Sequence, residues 1–212
     1  MREAIRGLFK DISESVVDEI LLMATLQRVR HGDLIFAEGE KPERLYVLIE
    51  GEVKVFKVNH KGDETILRFF HPVQFISELA SLDNLPFPTS TKAQTDLRLA
   101  TFEIESFKEL MRAHIELYDF MLHSLCQKLH YHMNVTIAKN SDNEDSYSKI
   151  ALLLLEDFTS FAQTKHWKIA QSINVAPETL SRVLRRFREE GAIGGVGKKI
   201  SLLDRSKLKK YL

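Results

Sequence analysis

The chain has 212 residues, of which 30 are lysine or arginine and 30 are aspartate or glutamate, so its formal net charge is zero. The single cysteine, Cys126, excludes a disulfide framework within the chain and an iron–sulfur cluster held by cysteines. Apolar runs such as residues 150–155 fall far short of the roughly 20 residues that a membrane-spanning helix needs. The first residues are charged and unlike a signal peptide, so we expect a reduced, cytoplasmic compartment and no membrane partner.

The first part of the chain predicts a short helix followed by a β domain. An amphipathic helix is expected at about residues 13–25. From about residue 26 to 102, apolar and polar residues alternate in short runs that glycine-bearing turns separate. The clearest runs lie at residues 34–36, 45–49, 53–58 and 65–70. Short antiparallel strands with such turns are typical of a barrel or jelly roll.

A long helix is predicted next, at about residues 115–139. One stripe of this helix alternates at spacings of four and three, as in the seam of a two-stranded coiled coil. The stripe consists of Tyr118, Leu122, Leu125, Leu129, His132 and Thr136. The alternative is that the helix packs on the chain's own β domain, as we expect for Leu117 and Met121. We favour a dimer seam centred on Leu122, Leu125 and Leu129.

A polar, acidic segment at residues 140–146 predicts a hinge, and a third domain begins near Tyr147. Within that domain, residues 168–193 predict two short helices joined by a tight turn. Asn174 suits the left-handed backbone of the turn, and Pro177 suits the first turn of the second helix. The inner face of the second helix is expected to consist of Leu180, Val183, Leu184 and Phe187. A helix-turn-helix whose arginine-rich second helix enters the DNA major groove has this pattern.

The charge is divided unevenly along the chain. Residues 164–212 hold 12 basic against 4 acidic residues, and the rest of the chain holds 18 against 26. A basic amphipathic helix alone is often an ordinary solvated surface helix. The asymmetry favours DNA binding instead, because a basic module beside an acidic one is the electrostatic footprint of nucleic-acid recognition.

The residues after the second helix predict a wing. Gly191 is expected to end the helix. Residues 193–203 then predict two short strands around a glycine-rich turn that carries Lys198 and Lys199 towards phosphates. The glycines are weak evidence for a nucleotide-binding loop, because they neither follow a long apolar strand nor open a helix.

The chain resembles the CRP/FNR family of transcription regulators over nearly its whole length. The resemblance is carried by the run Glu-Thr-Leu-Ser-Arg at residues 178–182, by the glycine-bearing turns of the β domain, and by the order of the parts. It implies an α+β fold: an effector-sensing β-roll or jelly roll at residues 1–113, a long dimerisation helix at 114–140, and a winged helix-turn-helix at 147–212.

The resemblance also implies which residues read DNA. Glu178, Ser181 and Arg182 match the family's Glu-x-x-Ser-Arg pattern of base contacts. The chemistry agrees, because arginine donates two hydrogen bonds to guanine and glutamate accepts one from cytosine. The alternative role of Glu178 is that of a charge at a helix N-terminus. We expect half-sites with a TGA core, closer to TTGAT than to a longer G-rich form. The expected phosphate contacts are Thr179, Arg185, Arg186, Lys198 and Lys199.

The effector-binding segment departs from that of the cyclic-AMP-binding family members. Those members hold the cyclic phosphate with a Gly-Glu pair and a later Arg-Ser pair. Here Ser77 precedes Glu78, and residues 85–92 contain no arginine, since Phe87 or Thr89 takes its place. Lys92 cannot reproduce the guanidinium fork. We therefore expect an effector other than cyclic AMP, in a pocket formed by Ser77, Glu78, Leu79, Thr89 and Ser90.

A haem-based sensor of nitric oxide or carbon monoxide, as in some relatives of the family, is the alternative. The chain has eight histidines, but no pair has a spacing that demands haem. Those nearest the roll or on the long helix are His71, His123, His130 and His132. An unidentified small molecule, or no ligand, is the remaining alternative, and we expect no dedicated metal site.

An enzyme is not expected, because the chain has no G-x-S-x-G, H-E-x-x-H or P-loop motif. The alternative from another class is a module that binds cyclic nucleotides or a protein partner without binding DNA. The Glu-x-x-Ser-Arg pattern and the wing argue against it. We expect a homodimer on double-stranded DNA, with RNA polymerase as a candidate partner.

Overall fold

The chain forms two compact units, Met1–Leu125 and Cys126–Leu212. The computed structural model describes residues 1–140, 146–156, 158–195 and 200–212. It describes the backbone alone for residues 130–132, 134–140, 156, 159–160 and 163. The predicted domain boundaries at 113/114 and 140/147 stay predictions, and the predicted hinge falls largely on residues outside the described ranges.

The first unit combines short helices with eight strands. Its helices are α1 (Arg2–Leu8), α2 (Glu14–Met23), α3 (Glu78–Asp83), α4 (Ile104–Ala113) and the start of α5 (Ile115–Asn140). Its strands are β1 (Thr25–Val29), β2 (Leu34–Phe36), β3 (Arg44–Glu50), β4 (Val53–Val58), β5 (Glu64–Phe70), β6 (Gln74–Ile76), β7 (Ser90–Ala93) and β8 (Leu97–Glu103).

The eight strands form two four-stranded sheets with the orders β1-β8-β3-β6 and β2-β7-β4-β5. All the pairings are antiparallel. Most neighbours in a sheet are not neighbours in sequence, which is the connectivity of a roll rather than of a simple meander. The predicted β-roll is therefore confirmed.

Two apolar clusters stabilise this unit. The first fills the space between the sheets with side chains from both, among them Phe36, Leu48, Val55 and Leu99. The second packs α1, α2, α4 and the start of α5 against β3 and β8. Period-two alternation places these strand residues on one face, and burying that face is the main favourable contribution to folding.

The starts of α2 and α4 involve side-chain hydrogen bonds of different kinds, and the bond at α4 is a helix cap. Helix α2 begins one residue later and ends two residues earlier than predicted. Ser13 lies just before its first residue, and Thr25 already belongs to β1. The hydroxyl and backbone N–H of Ser13 both donate to Glu116, which lowers the pKa of that carboxyl. Glu103 precedes α4 and accepts from the N–H groups of its first turn. Such caps satisfy donors that have no partner inside the helix.

The second unit holds the remaining helices and a small hairpin. The helices are α6 (Ser146–Glu156), α7 (Phe158–Gln163), α8 (His166–Ser172), α9 (Pro177–Glu189) and α10 (Arg205–Lys209). The hairpin strands are β9 (Ile193–Gly194) and β10 (Ser201–Leu202), which pair antiparallel. One core joins the inner faces of these helices. Together the two units confirm the predicted α+β class.

Candidate nucleic-acid interface

The turn between α8 and α9 has the predicted chemistry. Asn174 adopts φ 54°, in the left-handed region that asparagine tolerates. The N–H of Val175 donates to the carbonyl of Ala170 at 2.9 Å and closes the turn. Pro177 then occupies the first position of α9, where its missing N–H costs nothing. The second helix of the motif is thereby held in a fixed direction.

Helix α9 divides into a buried and an exposed face. Its buried face consists, as predicted, of Leu180, Val183, Leu184 and Phe187. Glu178, Ser181, Arg182 and Arg185 are exposed, while Thr179 is half-buried. Arg182 and Arg185 form no hydrogen bond or ion pair with any residue that the structure describes. Because positions four apart share a helix face, the structure brings Glu178 and Arg182 together on one accessible surface.

The other two arginines of α9 are bound within the protein. The Nε of Arg186 lies 2.7 Å from Oε1 of Glu190. The Nε–H of Arg188 donates to the carbonyl of Gly195 at 3.0 Å, just beyond β9. Sequence reasoning missed both contacts, since neither spacing nor composition distinguishes one arginine of this helix from another.

The wing is present as the β9–β10 pair. Gly191 ends α9 with φ 68°, and its N–H donates to the carbonyl of Arg188 at 2.9 Å. This positive φ is the conformation that a helix end gives most readily to glycine. Lys198 and Lys199, the predicted phosphate contacts of the wing, lie outside the described residues.

His166 is the first residue of α8. Burial, and secondarily the charge of Arg188, lower the pKa of its imidazole. The lowered pKa favours the neutral form of this imidazole.

The predicted effector residues surround the start of α3 and β7. Ser77 adopts φ 54°, and Glu78, which opens α3, is 2% exposed. Ser90 is buried, and its hydroxyl accepts from the N–H of Glu38 at 3.0 Å. Thr89 is half-buried, whereas Leu79 is exposed. Glu78 and Ser90 thus belong to the interior of the roll, and Leu79 lies on its surface.

Phe87 occupies the interior of the roll, where it is 2% exposed. Its ring stacks on Phe36, with centroids 3.8 Å apart and planes inclined by 16°. Tyr46 adds a third ring, 5.6 Å from that of Phe36. Backbone hydrogen bonds to residues 39 and 40 fix the loop of Phe87. Sequence reasoning named Phe87 but missed Phe36 and Tyr46, because these rings come from β2 and β3 and meet only in the folded roll.

Helix α5 presents an apolar stripe to the surface. Its members are between 49% and 73% exposed, and they are Ile115, Tyr118, Leu122, Leu129 and Met133. Leu125 is half-buried beside them. Leu117 and Met121 are buried against the first unit, as predicted. The side chains of His132 and Thr136, the other predicted seam positions, lie outside those described.

The described residues contain no group of three histidine, cysteine or carboxylate side chains placed to hold a metal ion. Among them, too, no helix is both long and apolar enough to cross a membrane.

Comparison with known proteins identifies both units. Residues 26–114 match the model of the cyclic nucleotide-binding domain. Residues 150–211 match that of the Crp-like helix-turn-helix domain. These matches cover the roll and the helix-turn-helix described above.

Several known proteins are similar to this chain over most of its length. The CRP-like cAMP-activated global transcriptional regulator of Mycobacterium tuberculosis is 24% identical, over 95% of this chain and 94% of its own. The transcriptional activator protein anr of Pseudomonas aeruginosa is 22% identical, over 83% of this chain and 75% of its own. The solved structure of the Thermus thermophilus catabolite activator protein shares the fold, with a TM-score of 0.57, 22% identity and coverage of 96% and 97%.

The matched domains and relatives are those of transcription regulators rather than enzymes, in agreement with the missing catalytic motifs. The exposed face of α9 lies within the matched helix-turn-helix domain, so DNA is the partner of this unit. The chain, a cyclic nucleotide-binding-type roll followed by a Crp-like helix-turn-helix, belongs to the CRP/FNR family of transcription regulators.

Proposed function

We propose that the protein is a homodimeric regulator that binds a near-palindromic operator with TGA-containing half-sites and responds to an effector other than cyclic AMP. The observation that carries the DNA half of this proposal is the exposed face of α9. Glu178, Ser181 and Arg182 share that face, while the opposite face is fully used in packing. A helix held in this way can enter a major groove without rearranging its core.

Base reading follows from the donors and acceptors on this face. The Arg182 guanidinium can donate to O6 and N7 of a guanine, and the Glu178 carboxylate can accept from N4 of a cytosine. A carboxylate facing a DNA groove is otherwise unfavourable, which supports a role in specificity for Glu178 beyond its place in the first helical turn. Arg185 and Thr179, with Lys198 and Lys199 of the wing, supply the proposed phosphate contacts. Such contacts add affinity without reading sequence.

The α5 stripe supports the homodimer. Its exposed members follow the four-and-three spacing of a two-stranded seam, centred on Leu122, Leu125 and Leu129. A stripe of this kind on a single chain costs free energy in water, and a second copy can cover it. Two subunits related by a twofold axis place their recognition helices about 34 Å apart, which requires two half-sites in inverted orientation.

The aromatic stack in the roll supports an effector other than cyclic AMP. A buried phosphate needs a cation with several donors, and Phe87 instead fills part of the roll interior with an apolar ring. A haem-based sensor is the alternative. His71 is the buried histidine of the roll, and its Nδ1 lies 4.0 Å from Oε2 of Glu52.

A fluorescence-anisotropy titration tests the DNA half of the proposal. The purified protein is added to a labelled palindrome of two TTGAT half-sites, with a scrambled duplex as competitor, at two salt concentrations. We expect tight binding that the scrambled duplex does not displace. Equal, salt-sensitive binding to both duplexes, with or without added effector, would contradict sequence-specific reading by α9.

Ligand titrations test the effector half. A ligand that binds only the folded protein raises its melting temperature as its concentration increases. We expect saturating cyclic AMP to leave the melting temperature of the first unit unchanged. Haem is titrated separately, and a Soret band that follows the protein in gel filtration would support the alternative of a haem-based sensor.

A further inference from the structure

We propose that Glu190 is a positioning residue of the DNA interface. Its carboxylate binds the guanidinium of Arg186 and thereby keeps Arg186 from neutralising a phosphate of the DNA backbone. This inference rests on the proposed function. It departs from the sequence-based expectation that Arg186 contacts a phosphate: it assigns Arg182 and Arg185 to DNA, and Arg186 and Arg188 to internal contacts.

The contact between Arg186 and Glu190 is part of a larger arrangement. Arg186 Nε lies 2.7 Å from Oε1 of Glu190, one helical turn further on. The hydroxyl of Tyr211 lies 2.7 Å from each oxygen of the same carboxylate. An isolated ion pair on a protein surface contributes little, since both side chains lose freedom on forming it. Here the carboxylate is already fixed by the tyrosine, so only the arginine has to be ordered.

Tyr211 is itself held by packing. Its ring stacks on Tyr147 with centroids 5.5 Å apart and lies 5.0 Å from that of Phe187. Burial, followed by the hydrogen bond to Glu190, raises the pKa of the Tyr211 hydroxyl. The hydroxyl therefore keeps its proton at neutral pH and remains a donor to the carboxylate.

The end of α9 is tied down at two further points. The Nζ of Lys207 donates to the backbone carbonyl of Glu190 at 2.9 Å, where a cation complements the helix dipole. Arg188 donates to Gly195, at the base of the wing. These contacts give the end of α9 a fixed position relative to α10 and the wing. The positive charge offered to DNA is thereby concentrated on Arg182 and Arg185.

The salt dependence of duplex binding separates this role from a merely structural one. Each phosphate that the protein neutralises adds about 0.9 to the slope of log K against log salt. We expect Arg185→Ala to flatten the slope by about 0.9 per subunit, and Arg186→Ala to change it by less than about 0.3. Glu190→Gln removes the charge that attracts Arg186 and leaves weaker hydrogen bonds from the introduced amide and Tyr211, so it should steepen the slope by up to about 0.9 per subunit.

Glu189→Gln is the matched control, because it removes the same charge from the adjacent residue. Glu189 is exposed and forms no ion pair with the residues that the structure describes. We expect this variant to leave the slope near that of the wild type. Equal flattening by Arg185→Ala and Arg186→Ala, or equal slopes for Glu190→Gln and Glu189→Gln, would overturn the proposal.

A measurement without DNA distinguishes failure of this inference from failure of the proposed function. NMR hydrogen exchange of the arginine Nε–H groups should be slower for Arg186 than for Arg185, and Glu190→Gln should narrow the difference. Rapid exchange of Arg186 in the wild type would refute the internal contact. Slow exchange in a protein that binds no duplex would confirm the contact and refute the proposed function.

Discussion

Under the proposed function, reading of the TGA core depends most on the side chain of Arg182. It is exposed on α9 and forms no hydrogen bond with the described residues, so its five donors are available to a base. A bidentate contact to guanine distinguishes that base from the other three. Removing the guanidinium should therefore change which sequence is preferred as well as how tightly DNA is bound.

We predict that Arg182→Ala lowers affinity for the TTGAT palindrome by about 1–3 kcal/mol per half-site and relaxes preference at the guanine position. Competition titrations against duplexes substituted at each position measure both effects. Arg28→Ala, which removes an exposed arginine from β1 in the first unit, is the control and should change neither quantity. Retention of the wild-type preference by Arg182→Ala would show that another residue reads the guanine.

The structure shows that Phe87 packs in the interior of the roll, which the sequence alone did not indicate. We predict that Phe87→Ala destabilises the roll by about 3–5 kcal/mol, because it removes a buried ring that stacks on Phe36. Denaturant unfolding followed by circular dichroism measures the change. The control Leu79→Ala truncates an exposed side chain nearby and should stay within about 0.5 kcal/mol of the wild type. A small effect of Phe87→Ala would mean that the roll closes over the cavity.

The sequence was sufficient to predict residue roles wherever a local rule applies. Asn174 in the turn, Pro177 at the start of α9 and Gly191 at its end follow from backbone preferences of single residues. The Tyr211–Glu190 contact and the Phe36–Phe87 stack were missed. Each joins positions at least 21 residues apart in sequence, and no periodic pattern relates them.

Helix α5 carries apolar side chains at both exposed and buried positions. The α5 stripe remains exposed at Tyr118, Leu122 and Leu129, although the same helix buries Leu117 and Met121. Alternation at spacings of four and three predicted this stripe from the sequence alone. The division between core and surface positions required the structure, since both sets are apolar.

We predict that Leu122→Asp combined with Leu129→Asp converts the proposed dimer to a monomer, because two carboxylates on each helix would face their copies across the seam. Sedimentation equilibrium measures the change in mass, and affinity for the palindrome should fall together with it. Gln127→Glu adds a charge on the opposite face of α5 and is the control, which should remain dimeric. A double variant that stays dimeric would place the interface elsewhere.

The cap of α4 should make stability depend on pH. The Glu103 carboxylate accepts from the backbone N–H groups of Ser106 and Glu105, and hydrogen bonds from Ser106 are the main cause of its lowered pKa. A carboxyl whose pKa is lower in the folded state stabilises the protein above its unfolded pKa, and this stabilisation disappears as the pH falls through the folded value.

We therefore predict that Glu103→Ala lowers the urea midpoint of the first unit at pH 7, and that the difference from the wild type shrinks below about pH 4.3. Glu109→Ala, on the exposed part of the same helix, serves as the control. A difference that is independent of pH would show that the carboxylate does not cap α4.

Opposite charges are segregated along this chain, although its net charge is zero. The basic second unit carries the proposed phosphate contacts, whereas the first unit is acidic. Zero net charge therefore conceals a strong local field, and composition alone would have suggested no affinity for DNA. The order of the domains was also predictable, because each part has its own periodicity and turn chemistry.

We predict a steep salt dependence for binding of the proposed dimer to the TTGAT palindrome. Arg185, Lys198 and Lys199 from two subunits would neutralise about six phosphates, so log K should fall against log salt with a slope of about −5. Anisotropy titrations between roughly 50 and 300 mM salt measure this slope, because phosphate contacts weaken measurably over that range. A slope near zero would exclude phosphate contacts as the main source of affinity.

Because the apolar stripe of α5 is exposed on the single chain, occupancy of the operator should depend on how often two subunits meet. If each subunit must find a second copy before both half-sites are read, occupancy below the dissociation constant of the dimer rises with the square of the subunit concentration. A twofold change in synthesis then changes occupancy about fourfold, until dimers predominate and the response becomes linear. The hydrophobic spacing of a single helix would in this way set the expression level at which the protein begins to act.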